Sequence, residues 1–88
     1  SNSMAGLLAR QISEFSELRI TQPTEANGVF VVMPRDLAEK LSRSYFFYPW
    51  NESIGEYRLM TSWDTTGEDI EMFAALLKRE LKKAQRFR

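Results

Sequence analysis

Apolar side chains recur at steps of three and four residues in three parts of the chain, and this spacing predicts three amphipathic helices. The first runs from Met4 to about Leu18, and the second begins at Pro34, because proline suits the first helical position. The third follows Thr66, whose hydroxyl can cap it, with Asp69 completing a capping box. The apolar stripe of this third helix consists of Ile70, Phe73, Ala74, Leu77, Leu81 and Ala84.

Between the helices lie four stretches rich in β-branched and aromatic residues, which is typical of strands. They are residues 19–22, 29–33, 45–48 and 56–60. The second stretch has no polar residue, so we expect both of its faces to be covered. Pro49 is expected to end the third strand, because proline has no N–H for the ladder. In the fourth, Tyr57 and Leu59 share one face and Arg58 lies on the other.

The element order is therefore α-β-β-α-β-β-α, in a chain of 88 residues that has room for one small domain. Short connections favour antiparallel pairing, and the helices must cover the resulting sheet. We predict an α+β fold: a two-layer sandwich in which a short antiparallel sheet of three to four strands is covered by three helices. Residues 1–3 are interpreted as the remnant of an expression tag, so the domain itself is expected at residues 4–88.

The composition restricts the chemistry that such a domain can perform. Twelve basic and twelve acidic side chains cancel, and there is no cysteine and no histidine. These absences exclude disulfides, thiolate or Ser-His-Asp nucleophiles and the usual zinc sites. No apolar run reaches the roughly 20 residues of a membrane helix, and nothing resembles a signal peptide, so we expect a cytoplasmic protein with no membrane partner.

Two stretches are candidates for a nucleic-acid-binding surface. Residues 78–88 carry six basic side chains and one acidic one, but these are spaced around an apolar stripe, so we interpret them as the solvated end of a helix. The aromatic run at residues 45–50 could stack on bases, but no lysine or arginine interleaves with it. We interpret the run as core packing with an interface edge and expect no nucleic-acid partner.

Acidic side chains and lysines are the remaining candidates for catalysis. The acidic cluster consists of Asp64, Glu68, Asp69 and Glu71, and the lysines are Lys40, Lys78, Lys82 and Lys83. The acids could form a metal cluster or an acid–base pair, but acids at a helix start are already favoured by the helix dipole. The lysines lie on polar helix faces, whereas a nucleophilic lysine must be desolvated or beside another cation. The sequence therefore predicts no catalytic residue and no metal ligand.

Arg58 is the exception, because it stands within an otherwise apolar strand. Its guanidinium would offer a rigid fork that suits a carboxylate. Alternatively, Arg58 is an edge-strand arginine that pairs with Glu56 or faces water. The residues alone favour this second interpretation, because arginines are common on the exposed faces of strands.

Four segments of the sequence resemble the C-terminal end of the threonine aldolase and β-eliminating lyase family. They are Asn-Gly-Val-Phe-Val at 27–31, Phe-Phe-Tyr-Pro-Trp at 46–50, Tyr-Arg-Leu-Met-Thr-Ser-Trp-Asp-Thr-Thr at 57–66 and Glu-Asp-Ile at 68–70. The family consists of pyridoxal-phosphate enzymes of the aspartate aminotransferase fold type. The resemblance covers about residues 4–82 and implies a small C-terminal domain, a short antiparallel sheet with helices on one side.

The resemblance implies a function for the whole enzyme and a role for one residue. The enzyme would cleave L-threonine or L-allo-threonine to glycine and acetaldehyde. The arginine before Leu-Met-Thr in the family pattern binds the α-carboxylate of the substrate, and here it is Arg58. The resemblance therefore favours Arg58 as a substrate ligand over an arginine that merely faces water.

The resemblance also implies what these residues lack. The large domain of the family supplies the lysine that carries the cofactor, so we expect this chain alone to bind no pyridoxal phosphate and to be an inactive fragment. Its partners would be that missing large domain and, in the full enzyme, further copies in a homo-oligomer. Because the strand at residues 29–33 is apolar on both faces, the isolated domain is also expected to self-associate.

Two other functions stay open. The chain could be a freestanding α+β module for interaction or small-ligand binding, or a nucleic-acid binder that uses the basic helix and the aromatic strand. One structural observation is expected to argue against the aldolase resemblance. It is an Arg58 side chain held in an intramolecular ion pair on the far side of the sheet.

Overall fold

Three α-helices and four strands follow one another in the predicted order. A computed structural model describes residues 2–25 and 27–86. The elements are α1 (Asn2–Ser13), β1 (Arg19–Ile20), β2 (Gly28–Val32), α2 (Arg35–Leu41), β3 (Phe47–Asn51), a short 3₁₀ helix (Glu52–Ile54), β4 (Glu56–Met60) and α3 (Gly67–Arg86). The predicted order α-β-β-α-β-β-α and the α+β class are therefore confirmed.

The four strands form one antiparallel sheet in the spatial order β1-β2-β4-β3. The two inner strands pair along their whole length, from Gly28 opposite Met60 to Val32 opposite Glu56. β3 and β4 form a hairpin whose register shifts by one residue at Trp50. This arrangement puts β4 between β2 and β3, so a side chain on β4 has neighbours from both.

The helices cover one face of this sheet. Alternate residues of the strands, among them Val29, Val31 and Leu59, point into the main core together with the apolar stripes of the helices. α3 packs against both α1 and α2. No helix of the described part of the chain covers the opposite face, called the open face below, on which Phe30 and Arg58 lie. The two-layer sandwich is therefore confirmed.

The first helix is shorter than its apolar spacing predicts. α1 ends at Ser13 and not near Leu18. The amide of Phe15 then bonds the carbonyl of Ile12 at 3.0 Å, which is the tighter pattern of a turn. Leu18 is nevertheless buried, because the turn after α1 places it in the same core. The apolar spacing therefore extends beyond the end of the helix.

Proline positions account for two further differences. Pro34 was predicted as the first helical residue of α2 but is its N-cap with ψ of 142°, so the helix begins one residue later, at Arg35. Pro49 lies inside β3 and does not end it. β3 is an edge strand, where a residue without an N–H is tolerated if its nitrogen faces away from the ladder.

The start of α3 matches its prediction. The amide of Thr66 donates to Oδ2 of Asp69 at 2.9 Å, and the amide of Asp69 donates to Oγ1 of Thr66 at 3.1 Å. This reciprocal capping box satisfies two of the amides that a helix start leaves free. Among the described helices, none has the length and apolar character needed to cross a membrane.

Candidate functional site

Arg58 lies in the middle of the open face. β4 is an inner strand, and in the register of the sheet Arg58 stands opposite Phe30 of β2 and Tyr48 of β3. The interpretation as an edge-strand arginine is therefore wrong, because the strand order places a strand on each side of it. The predicted division of β4, with Tyr57 and Leu59 on the helix side, is confirmed.

Two aromatic rings hold the Arg58 guanidinium. Its carbon lies 5.6 Å from the centroid of the Phe30 ring and 5.5 Å from that of Trp50. The rings themselves meet edge to face with centroids 5.1 Å apart. A cation against an aromatic face is stabilised by about 0.5–1 kcal/mol at exposed sites. Two such contacts restrict the side chain while leaving it 27% exposed.

One carboxylate already contacts this guanidinium. Nη2 of Arg58 donates to Oε1 of Glu25 at 2.9 Å, and the Glu25 side chain is 46% exposed. Nε of Arg58 is buried and has no hydrogen-bond partner. The site thus combines a partly exposed Arg58–Glu25 ion pair with a buried N–H donor, Nε of Arg58, that has no acceptor.

The predicted alternative partner of Arg58 has other contacts. Glu56 is buried at the end of β4, where its Oε2 accepts hydrogen bonds from the hydroxyl of Thr21 and from Nε2 of Gln22. Its carboxylate is therefore used to hold the segment after β1 against the sheet. The expected Arg58–Glu56 pair is not formed.

Gly28 forms the floor of the site. A Cβ at this position would lie 3.4 Å from Nε of Arg58 and equally far from Oε1 of Glu25. Those separations are at the short limit of ordinary van der Waals contact, so a larger residue would pack directly against the ion pair. The absence of a side chain at Gly28 lets the two charged groups lie close to the sheet.

The aromatic run at residues 45–50 divides between the two faces. Tyr45 and Phe47 pack against the core, with the Tyr45 ring edge to face on Phe73 at 5.0 Å. Phe46, Tyr48 and Trp50 are exposed. The alternation follows from the two-residue period of a strand and leaves an aromatic surface beside Arg58.

The other charged candidates take part in local structure. Asp69 caps α3, and Asp64 accepts a hydrogen bond from the hydroxyl of Ser62 at 2.6 Å. Glu80 lies within 4.0 Å of basic groups on Lys40, Arg79 and Lys83. In the described ranges, no group of three or more acidic side chains could hold a metal ion.

A cavity of about 330 Å³ opens between the end of β4 and the start of α3. Leu8, Phe46 and Ile70 are among its apolar lining residues, and Thr61 and Asp69 among the polar ones. The hydroxyl of Thr61 is buried there without a hydrogen-bond partner. The cavity lies at the end of the sheet, next to the capping box.

Comparison with known proteins shows which family the chain resembles. No protein-family model matches the chain. A solved structure of the Leishmania major threonine aldolase superimposes on 89% of the chain with a TM-score of 0.74 and 26% identity, over 23% of that protein. This match defines the fold as that of part of a threonine aldolase.

Two curated relatives make the assignment more specific. Both are named low specificity L-threonine aldolase. The one from Pseudomonas sp. is 34% identical over 76 residues, which are 85% of this chain, and the one from Pseudomonas aeruginosa is 36% identical over 77 residues, which are 84%. The chain spans about a fifth of the length of these relatives. The resemblance to the C-terminal small domain of the threonine aldolase family is confirmed.

The Arg58–Glu25 ion pair lies on the face of the sheet away from the helices. The expectation that such a pair would argue against the family is therefore wrong, since the chain carries both the pair and the family's sequence. The pair is formed by half-exposed groups, and exposed ion pairs contribute only about 0–1 kcal/mol. It is thus too weak to fix what Arg58 binds.

The cofactor of the family, pyridoxal phosphate, does not fit the residues of this chain. All four lysines lie on helices α2 and α3, which cover the face of the sheet opposite to Arg58. Lys40 and Lys83 are within 3.7 Å of Glu80 and remain 39% and 54% exposed. A nucleophilic lysine is usually desolvated, and these two side chains are not.

Sequence reasoning found Arg58 through the family pattern but missed the groups around it. Glu25, Gly28 and Trp50 surround the guanidinium and come from two segments, the start of β2 with the loop before it and strand β3. Only the position of β4 between β2 and β3 brings them together. No local sequence signal carries that strand order.

Proposed function

We propose that this chain is the C-terminal domain of a pyridoxal-phosphate-dependent aldehyde-lyase that cleaves L-threonine or L-allo-threonine to glycine and acetaldehyde. The similarity to two low specificity L-threonine aldolases over 85% and 84% of the chain supports this proposal. The cofactor would be held by another domain, here called the cofactor domain. The present domain would contribute Arg58, which would bind the carboxylate of the substrate.

The observation that carries the proposal is the placement of the Arg58 guanidinium. It lies on the open face and packs against both Phe30 and Trp50. A guanidinium gripped by two rings presents its nitrogens in a fixed direction, which suits a planar carboxylate. Holding the α-carboxylate would fix the rotation of the substrate about its Cα, and hence the direction of the Cα–Cβ bond that breaks.

The chain alone would carry out none of this chemistry. Pyridoxal phosphate supplies the electron sink for the cleavage when it is bound. The exposed lysines on α2 and α3 offer no desolvated amine for it. We therefore expect that the isolated chain binds no pyridoxal phosphate and cleaves no threonine.

The open face would be the surface that meets the cofactor domain. Tyr48 and Trp50 leave large aromatic areas exposed on it. Exposed apolar patches of this kind mark interaction sites on small domains. In the full enzyme, homo-oligomer formation would add further copies of the same chain as partners.

The experiment that tests the proposal is a domain exchange. The 77-residue segment that matches in the Pseudomonas aeruginosa aldolase is replaced by this chain, and threonine cleavage is measured. We expect the chimera to be active. Arg58→Lys should raise its KM for threonine about 10- to 100-fold, because a hydrogen bond to a charged group contributes about 1.5–3 kcal/mol.

The matched control in the chimera is Arg79→Lys, since Arg79 is an exposed arginine on α3. It should leave KM unchanged. An active chimera whose KM does not respond to Arg58→Lys would contradict the role of Arg58.

The alternative of a freestanding α+β module for interaction or small-ligand binding makes the opposite prediction about the chimera. Such a module would not restore an active aldolase. A second measurement concerns the isolated chain mixed with pyridoxal phosphate, for which we expect no protein-bound absorbance and no aldehyde release. Threonine cleavage by the isolated chain would overturn the proposal that another domain holds the cofactor.

A further inference from the structure

Glu25 occupies the nitrogen of Arg58 that a bound carboxylate would need. A guanidinium can hold a carboxylate with two hydrogen bonds at two edges, side-on through Nε and Nη2 or end-on through Nη1 and Nη2. Nη2 contributes one of its two N–H groups to each edge. Since Nη2 donates to Oε1 of Glu25 at 2.9 Å, the present ion pair already uses one of these N–H groups and obstructs the edge to which it belongs.

The position of Glu25 is set by its backbone. Its amide donates to the carbonyl of Gly28 at 2.9 Å, and the carbonyl of Asn27 accepts from the amide of Thr61 at 2.8 Å. The loop before β2 is thus attached to both inner strands. These bonds bring the Glu25 carboxylate over the guanidinium.

Gly28 closes the site from below. A Cβ at Gly28 would contact both Nε of Arg58 and Oε1 of Glu25 at 3.4 Å, so the backbone of β2 lies directly against this side of the ion pair. Nε is itself buried, so a second carboxylate would approach from the exposed side of the guanidinium, where Glu25 contacts Nη2. A new carboxylate at Nη2 would meet a like charge at hydrogen-bond distance, which is unfavourable.

The Glu25 contact is also weak enough to be replaced. The Glu25 side chain is half exposed, and its partner is about a quarter exposed. Ion pairs in such surroundings contribute little, because water and salt screen them. An incoming carboxylate therefore competes with a contact of modest strength.

We propose that Glu25 is a built-in competitor for Arg58: its carboxylate fills the place of the substrate carboxylate and must move aside when a substrate binds. Glu25 would thereby set how tightly the site holds carboxylates. This inference rests on the proposed role of Arg58 as a carboxylate ligand. It assigns to Glu25 a regulatory contact within the same site.

The test uses the complete 88-residue chain and acetate as the probe. Binding is followed by NMR through the Nε–Hε signal of Arg58, which the Phe30 and Trp50 rings shift away from other arginines. Loss of this signal in Arg58→Lys assigns it. Glu25→Gln removes the charge and keeps the length of the side chain. We expect its Kd for acetate to fall about fivefold at low salt, since an exposed ion pair contributes about 1 kcal/mol or less.

The matched control is Glu39→Gln, which changes the net charge equally at an exposed position on α2. Its Kd for acetate should stay within about twofold of the parent chain. Amide spectra of the variants check that each remains folded.

Each outcome of the titration bears on a different claim. Tighter binding in Glu25→Gln alone supports the competitor. Equal binding in the parent chain and in Glu25→Gln overturns the competitor and leaves Arg58 as a carboxylate site. Equal tightening in Glu25→Gln and Glu39→Gln also overturns it, because the effect would then be one of net charge. Absence of binding in every folded variant overturns the carboxylate role of Arg58 itself.

Discussion

Phe30 and Trp50 meet edge to face on the open face of the sheet, with ring centroids 5.1 Å apart. The two rings differ in exposure, since Phe30 is 3% exposed and Trp50 is 53% exposed. Trp50 thus lies over Phe30 and covers it from solvent. The guanidinium of Arg58 contacts both rings, so the half-exposed tryptophan positions the arginine as well as covering the phenylalanine.

Trp50→Ala is expected to lower the free energy of unfolding by about 1–2.5 kcal/mol. The loss combines an aromatic pair, about 0.5–1.5 kcal/mol, with one cation–π contact, about 0.5–1 kcal/mol. Urea unfolding followed by circular dichroism measures it. Without the indole, Arg58 also has more freedom, so its affinity for acetate should fall.

The control is the other tryptophan. Trp63 is 91% exposed in the segment between β4 and α3. Trp63→Ala should change the free energy of unfolding by no more than about 0.5 kcal/mol, as is usual for surface substitutions. Equal losses in the two variants would show that the Phe30–Trp50 contact contributes nothing specific.

Two glycines should respond to alanine with opposite signs. Gly55 has φ of 71°, and a Cβ there would lie 3.2 Å from the carbonyl oxygen of Met33. Gly55→Ala should therefore cost about 1–2 kcal/mol. Gly6 lies inside α1, where an added Cβ would lie 3.9 Å from Nη1 of Arg10, so Gly6→Ala should stabilise by about 0.4–1 kcal/mol.

Thermal or urea unfolding of these two variants measures the difference. Each variant is the control of the other, because both add one methyl group at a glycine. A loss of stability in Gly6→Ala, or none in Gly55→Ala, would contradict the backbone assignments on which the prediction depends.

Local signals were sufficient for much of the fold. The period of apolar residues gave the element order, and the spacing of Thr66 and Asp69 located the start of α3. The end of α1 was less predictable. Leu18 is buried although it lies in a turn, so its apolar side chain does not distinguish a turn from a helix. The course of β3 through Pro49 depends on its being an edge strand, which is a property of the whole sheet.

The site was predictable only in part, for the same reason. Arg58 stands in a segment that resembles a family pattern, so its importance could be inferred from adjacent residues. The positions of Glu25 and Phe30 against it depend on the pairing of β2 with β4 in one register. That pairing joins residues about 30 positions apart, and no periodicity along the chain encodes it.

A buried hydroxyl supplies a third prediction. Thr61 is buried, and its Oγ1 has no hydrogen-bond partner. A buried polar group without a partner costs about 1–3 kcal/mol, so Thr61→Val, which keeps the shape, should raise the free energy of unfolding by about 1 kcal/mol. Thr61→Ser keeps the hydroxyl and removes the methyl group, and it should lower stability. A clear loss in Thr61→Val would show that the hydroxyl makes a hydrogen bond in solution.

The open face leads to a last prediction, on association. Phe46 and Tyr48 pack edge to face with centroids 4.9 Å apart, and both are exposed, as is Trp50. Without a partner domain on this surface, copies of the chain should associate through it, because burying the aromatic area removes it from water. Sedimentation velocity over a range of concentrations should show a reversible dimer or larger species. Phe46→Ser should weaken this association, whereas Trp63→Ser, which alters an exposed ring outside the sheet, should not. A chain that stays monomeric at millimolar concentration, or an equal response to the two serine variants, would exclude the open face as the contact surface.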